Sequence, residues 1–182
     1  NYFHALRRQI HRDFRKPLVI TTPKSLLRHK GAVSKLEDFG PGTSFNRVLP
    51  ETGDLVARTK IKRVVLCSGK VYFDLLAARE EMKISNMALV RLEQLYPFPS
   101  ISLSKELKKY PNADVVWCQE EPKNMGAWTF MDRRIEELLG NVDIDAERPI
   151  YAGRPEAASP ATGSHGKHTR EQQALVEDAL TI

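Results

Sequence analysis

The strongest constraint on this chain is an alternation that begins at Lys62. Short, almost continuously apolar runs such as Val64-Val65-Leu66-Cys67 and Val115-Val116-Trp117-Cys118 are separated by stretches with helical spacing. The spacing predicts strand 63–67, helix 71–82 on Val71, Leu75, Ala78 and Met82, and strand 87–92. It continues with helix 102–110 on Leu103, Leu107 and Tyr110, strand 114–119, and a helix near 127–139 on Met131, Ile135 and Leu138. Strand 149–152 and a helix of about 169–180, with Leu175, Val176 and Ala179 on one side, complete the series. A strand that is apolar on both faces must be covered on both faces. Helical crossovers do this when they join parallel strands, so an α/β fold with a mostly parallel sheet is expected.

The first 62 residues break this rhythm. An amphipathic pattern on Phe3, Leu6, Ile10 and Phe14 predicts a helix over 2–15, ended by Pro17, which pushes the residue before it out of the α region. Leu18-Val19-Ile20 is apolar enough for a short strand, and a basic stretch follows to Lys35. From Leu36 to about Lys62 the chain carries Gly40-Pro41-Gly42, Pro50 and Gly53, and only Phe45 to Leu49 could form a strand. That segment reads as a linker. The expected organisation is therefore an appendage over 1–35, a linker over 36–62 and a domain over 63–182. The helical pattern is already running at the third residue with no capping sequence before it, and this reads as a piece of a longer chain. Thr169-x-x-Gln172 has the spacing of a capping box at the start of the last helix.

A chain of 182 residues with 41% hydrophobic content can bury one core but not two full enzyme domains. The net charge of +5 is concentrated: residues 1–35 carry nine Lys or Arg against Asp13 alone, giving +8 there and −3 elsewhere. The arginines interleave with the apolar stripe, and no nucleic-acid module is recognisable. The segment therefore reads as a solvated or partner-facing helix surface rather than a nucleic-acid patch. Cys67 and Cys118 sit inside apolar runs and form no CxxC pair, as expected of small buried hydrophobes in a reducing, soluble compartment. No apolar run approaches the ~20 residues of a membrane span.

Several groupings could carry chemistry. Ser68-Gly69-Lys70 joins a strand to a helix, so backbone N–H groups, a hydroxyl and an ammonium converge at a helix N-terminus. This is either an anion site or an ordinary tight turn, for the spacing matches neither GxxxxGK[ST] nor GxGxxG. On residue chemistry Ser68, Lys70, Arg47 and Gln119 are the groups best suited to phosphates. Glu120 and Glu121 are adjacent, so they leave a strand on opposite sides and read as partners for backbone N–H groups or arginines rather than a catalytic pair. His165 and His168 lack the third and fourth ligands that zinc needs. Trp117, Trp128, Tyr96 and Phe98 suggest a subunit contact more than a platform for bases, since Tyr and Trp are enriched at protein interfaces. There is no GxSxG or HExxH and no credible Ser/His/Asp arrangement.

Three stretches carry a resemblance to a known family: Val90 to Pro99 (VRLEQLYPFP), Trp117 to Trp128 (WCQEEPKNMGAW) and Tyr151 to Pro155 (YAGRP). Together with the run from Leu6 to His29, they make the chain resemble the C-terminal region of the thiamine-dependent first component of the 2-oxoglutarate dehydrogenase complex. The resemblance implies a transketolase-type C-terminal domain, a three-layer α/β/α sandwich, with residues 1–35 ending the preceding pyrimidine-binding domain. It implies a homodimeric enzyme that decarboxylates 2-oxoglutarate on thiamine diphosphate and Mg2+ and passes the succinyl group to a lipoyl-bearing succinyltransferase. It further implies acetyl-CoA or AMP as effectors, for whose phosphates the residue chemistry offers Arg47, Ser68, Lys70 and Gln119, and a bacterial cytoplasm or mitochondrial matrix as location. The GDG motif that clamps the cofactor in that family is absent here, so no catalytic, cofactor-binding or metal-binding residue is transferred. The alternative is a free-standing α/β module that binds a nucleotide or an acidic partner.

Overall fold

The computed structural model describes every residue from Asn1 to Ile182. The chain divides into two compact units, Asn1–Arg47 and Val48–Ile182.

The first unit holds helix α1 (Tyr2–His11) and two 3-10 turns, Lys24–Leu26 and Leu36–Phe39. The helix is fastened to the rest of its unit chiefly through polar groups. Asn1 and Asn46 exchange two hydrogen bonds of 2.7 and 2.9 Å, His4 Nε2 lies 2.8 Å from the Asp38 carbonyl oxygen, and Arg7 donates to the Thr43 carbonyl at 2.9 Å. The Arg8 guanidinium sits 4.3 Å from the centre of the Phe45 ring. Leu6, Ile10 and Phe14 face solvent, as does much of Phe3, whose ring edge meets Phe39.

Two sequence expectations fail in this unit. The helix stops at His11 instead of residue 15, because Arg12 is extended and side chains take over the carbonyls beyond it: Gln9 donates to Lys16 O and Arg15 to Arg12 O and Phe14 O. Leu18-Val19-Ile20 forms no strand. An apolar run needs a ladder partner as well as propensity, and this one has none, leaving Val19 84% exposed.

The second unit is built on a five-stranded sheet. Its strands are β1 (Val48–Leu49), β2 (Arg63–Cys67), β3 (Met87–Leu92), β4 (Asp114–Pro122) and β5 (Ile150–Arg154), in the order β1-β3-β2-β4-β5. The four long strands run parallel and β1 pairs antiparallel with β3, so the sheet is mostly parallel as expected. Helices α2 (Val71–Glu81) and α5 (His165–Leu180) cover one face, on Val65, Cys67, Leu89, Val116, Cys118 and Ala152. Helices α3 (Ser100–Leu107) and α4 (Trp128–Leu139) cover the other, on Val64, Leu66, Val90, Val115 and Trp117. The result is the three-layer α/β/α sandwich. β2 lies at the centre with all five residues buried, which is why its sequence shows no polar alternation.

Polar groups are buried only where they have work to do. Arg63 opens β2 and donates to the carbonyls of Asp178, Ala179 and Thr181, placing a cation on the C-terminal end of α5 where the helix dipole favours it. Glu51, in the stretch that reads as linker, forms a buried ion pair with Arg79 of α2 at 2.5 Å. The same carboxylate accepts from the backbone N–H of Gly53 at 2.6 Å and of Leu89 at 2.7 Å, tying residues 51–53 to β3. Burial pulls the Glu51 pKa upward, but the hydrogen bonds and the Arg79 charge prevail and hold it below the ordinary carboxylate value.

The expected elements recur with altered ends. Helix α3 begins at Ser100, directly after Pro99, and β4 runs three residues further than expected, through an irregularity between Gln119 and Pro122. Helix α5 begins at His165, inside the Ser- and Gly-rich stretch. Thr169 is therefore not a cap. Its hydroxyl donates to the His165 carbonyl one turn back, and the Gln172 amide donates instead to Asp74 of α2 at 2.8 Å.

Candidate functional site

The strand order locates the best place for a ligand. From β2 the chain crosses to β3 on one side, and then returns to β4 on the other. The carboxyl ends of β2 and β4 therefore flank a crevice that no crossover fills, the position where open α/β sheets bind ligands. A pocket of about 550 Å³ lies there, on the α4 side of the sheet. Its walls are Ser68 and Gly69 after β2, Leu95 and Tyr96 after β3, Gln119 and Glu121 of β4, and Gly126, Ala127 and Phe130 where α4 begins, over a floor of Trp117.

Gln119 organises this end of the sheet. Its Oε1 accepts from Trp117 Nε1 at 3.0 Å and from the Trp128 backbone N–H at 2.9 Å. Its Nε2 donates to the carbonyls of Glu121, Pro122 and Met125 at 3.2, 3.2 and 2.8 Å. The amide is 4% exposed and fully engaged. It closes the turn from Glu120 to Ala127 and delivers the chain to the first turn of α4. Gly126 has φ of 66°, and a Cβ there would stand 2.9 Å from Glu121 Cβ and 3.0 Å from Gln119 Nε2, so the turn needs glycine on both counts. A second clamp comes from Tyr151 of β5. Its hydroxyl donates to Arg154 O at 2.8 Å and Glu121 O at 3.2 Å, and its ring lies 5.1 Å from that of Trp128. Burial pushes the Tyr151 pKa up to about 12, so the hydroxyl remains a donor at neutral pH.

The adjacent glutamates diverge, as the strand period requires. Glu120 meets the Lys70 ammonium, which also lies 3.8 Å from Asp74 one turn into α2. Glu121 lines the pocket on the opposite face. Of the four residues suggested for phosphates, Ser68 and Gln119 share the pocket, while Lys70 stands beside it with its charge met by two carboxylates. Arg47 is an exposed residue of the first unit.

Cys67 and Cys118 are in-register neighbours on β2 and β4, both free thiols and both buried. Burial pushes the Cys118 thiol up to about 12 and that of Cys67 higher, so neither presents a thiolate. His165 and His168 line a groove between α2 and α5, and no group of three or more His, Cys, Asp or Glu side chains converges to hold a metal ion. No helix is long and apolar enough to cross a membrane.

Residues 33–180 match the family described as 2-oxoglutarate dehydrogenase C-terminal. The chain belongs to that family. As a member of the 2-oxoglutarate dehydrogenase C-terminal family it is 54% identical over 188 aligned residues to a 2-oxoglutarate dehydrogenase E1 component of Brucella anthropi, and 53% identical to that of Brucella ovis. The alignments take in 99% of this chain but only 19% of each relative, so this family member spans about a fifth of their length. Among solved structures it is similar to a split-gene transketolase in an inactive beta4 tetramer, at 17% identity and a TM-score of 0.49, over 78% of this chain and 44% of that one.

Sequence reasoning grouped Ser68 with Gln119 for phosphates and set Tyr96 apart as an interface aromatic, whereas the fold puts all three on one pocket. It missed the hub role of Gln119, the Tyr151 clamp and the Glu51–Arg79 pair. A polar residue ending an otherwise apolar strand, Gln119 after Val115-Val116-Trp117-Cys118, was the one available signal for the hub. Nothing local marked Glu51, because its partner is 28 residues away.

Proposed function

We propose that this chain is the C-terminal portion of a 2-oxoglutarate dehydrogenase E1 component. In this reading the longer protein decarboxylates 2-oxoglutarate with thiamine diphosphate and Mg2+ and passes the succinyl group to a lipoyl-bearing succinyltransferase, as a homodimer in the bacterial cytoplasm. The observation that carries the reading is the 54% identity sustained across 99% of the chain with a relative of that name. The residues present do not fit the cofactor: the sequence has no GDG motif, and no three His, Cys, Asp or Glu side chains converge to hold a metal ion. The cofactor is therefore assigned to the remainder of the longer protein, and residues 1–35 to the end of its preceding domain. The role assigned to this portion is structural and regulatory: its aromatic end-of-sheet surface, Tyr96 and Phe98, meets a second subunit, and an anionic effector, acetyl-CoA or AMP, binds at the Ser68–Lys70 turn. Such a ligand must displace Glu120 from Lys70, which costs affinity.

The decisive experiment expresses the complete open reading frame and measures CO₂ release from 2-oxoglutarate with thiamine diphosphate and Mg2+. The expected result is cofactor-dependent turnover, while residues 1–182 alone give none and show no heat of thiamine diphosphate binding. Turnover by the 182-residue chain, or turnover of pyruvate but not 2-oxoglutarate by the longer protein, would overturn the assignment. For the effector, Lys70→Glu in the longer protein is expected to abolish the response to acetyl-CoA or AMP. An unchanged response would make the turn structural.

A further inference from the structure

Helices α2 and α5 follow strands that run parallel, so they lie side by side on one face of the sheet and point the same way. Between them is a groove of about 880 Å³, larger than the crevice at the strand ends. The hydrogen bond from the Gln172 amide to Asp74, at 2.8 Å, crosses from α5 to α2 and fixes the spacing of the two walls. Along α2 the residues that line the groove are Asp74, Ala77, Ala78 and Glu81, at i, i+3, i+4 and i+7, the spacing of one helix face. The two alanines in the middle hold nothing away, so they admit a third helix to the short separation that small side chains permit. Met82 follows them, 49% exposed, and its flexible thioether conforms to whatever packs on it.

The charge of the walls narrows the occupant. Carboxylates stand at Asp74, Glu81 and Glu177, and the lining has no Lys or Arg. Gln172 holds the Asp74 carboxylate, and the Gln173 amide holds that of Glu177 at 2.9 Å; both donors are neutral, so they fix these charges without cancelling them. Lys70 comes only within 3.8 Å of Asp74 and is itself taken by Glu120. Asp74 and Glu81 are seven residues apart, about 10 Å along the helix axis at ~1.5 Å per residue. An acidic helix is repelled here, and an uncharged one leaves the rims unanswered. A helix with Lys or Arg two turns apart answers both carboxylates of α2 while its apolar stripe lies on Ala77, Ala78 and Met82. We propose that the α2–α5 groove docks an amphipathic helix of another protein, apolar on the side that enters and basic along its flank.

The probe is a synthetic helical peptide of Leu, Ala and Lys, about 18 residues long so that it can hold a helix, with lysines at seven-residue spacing beside one leucine stripe. Two-dimensional NMR of the full 182-residue chain follows the Gln172 side-chain amide, which bridges the walls, with the Trp117 indole under the opposite face of the sheet as reference. The peptide is expected to shift Gln172, to leave Trp117 unmoved, and to bind less tightly as salt rises. Glu81→Lys with Glu177→Lys, both exposed and so without consequence for folding, is expected to weaken binding about tenfold or more. Ala77→Arg, also at an exposed position, is expected to do the same by filling the groove. The counterpart peptide with glutamate in place of every lysine is expected not to bind. In the longer protein, the thiol introduced by Ala77→Cys is expected to react freely with a soluble alkylating reagent and to be protected by the lysine peptide. No shift at Gln172 with millimolar peptide, equal binding of the glutamate peptide, or unchanged binding in both variants would overturn the proposal. So would a thiol at that position already shielded in the longer protein without peptide, which would mean that a second copy or another segment of its own chain covers the groove.

Discussion

The two units are made from similar amino acids and use them in opposite ways. In Val48–Ile182 the apolar residues line up on a sheet, and thirty hydrophobic residues of the chain are buried, all of them in this unit. In Asn1–Arg47 one residue alone is buried, and it is a histidine, His4. Its helix is attached by asparagine, histidine and arginine while leucine, isoleucine and phenylalanine point outward. An amphipathic pattern thus states that a helix will have an apolar face, but not that the chain contains anything to cover it.

Removing the buried charge pair tests the comparison most severely. Glu51→Ala would leave Arg79 buried and uncompensated, a loss of about 3–5 kcal/mol, whereas Asp38→Ala in the first unit, whose carboxylate accepts only from the exposed Lys35 N–H, should cost about 1 kcal/mol or less. Urea denaturation measures both. The pH dependence has a fixed sign. Because Glu51 is held below its unfolded value, its contribution is complete above roughly pH 5 and disappears as pH falls through the depressed folded value. Wild type should lose stability over that acid range more steeply than Glu51→Gln, and parallel curves would mean that the pair contributes nothing.

Next in size is the core itself. Leu75→Ala, at a fully buried site under the sheet, should cost about 2–5 kcal/mol, while Leu6→Ala should stay within about 0.5 kcal/mol. Comparable losses at the two sites would mean that the first unit is far better packed in solution than its exposed side chains indicate. Gln119→Leu sits between them. It removes the partner of the Trp117 indole and of the Trp128 amide, so the cost should be about 1–3 kcal/mol, with loss of near-ultraviolet tryptophan dichroism as the local signature.

The sheet was legible in the sequence because parallel strands covered on both faces write themselves as unbroken apolar runs. The limits of β2 and β3 agree with expectation to the residue, since each run is bounded by polar residues and a turn. Legibility failed where the deciding partner was remote or absent. The first turn of α5 was hidden because Ser, Gly and His have low helix propensity, and packing of Leu175, Val176 and Ala179 supplies the stability that propensity does not. Leu18-Val19-Ile20 shows the converse error, propensity without a partner. At the site, the pattern brought the correct strand ends together, but it could not reveal that Glu120 would claim Lys70 or that Gln119 would spend its whole amide on the turn. Both outcomes depend on side chains converging from separate elements, which no local window contains.

The smallest expected change in stability probes the outward face of α1. Leu6 is 41% and Ile10 71% exposed, one turn apart, with Phe14 beyond them at 45%. Water around such a stripe is released when two stripes meet, so association is favoured even though folding of the single chain gains little from these residues. Leu6→Gln with Ile10→Gln should therefore leave the denaturation midpoint within about 0.5 kcal/mol of wild type while lowering the self-association seen by sedimentation at high protein concentration. Salt sharpens the reading. The same helix carries Arg7 and Arg8, so association through the stripe brings like charges together and should strengthen as ionic strength rises, whereas association through ion pairs would weaken. A large loss of stability in the double variant would show that the stripe is covered within its own chain, and the contrast between the two units would then be one of degree.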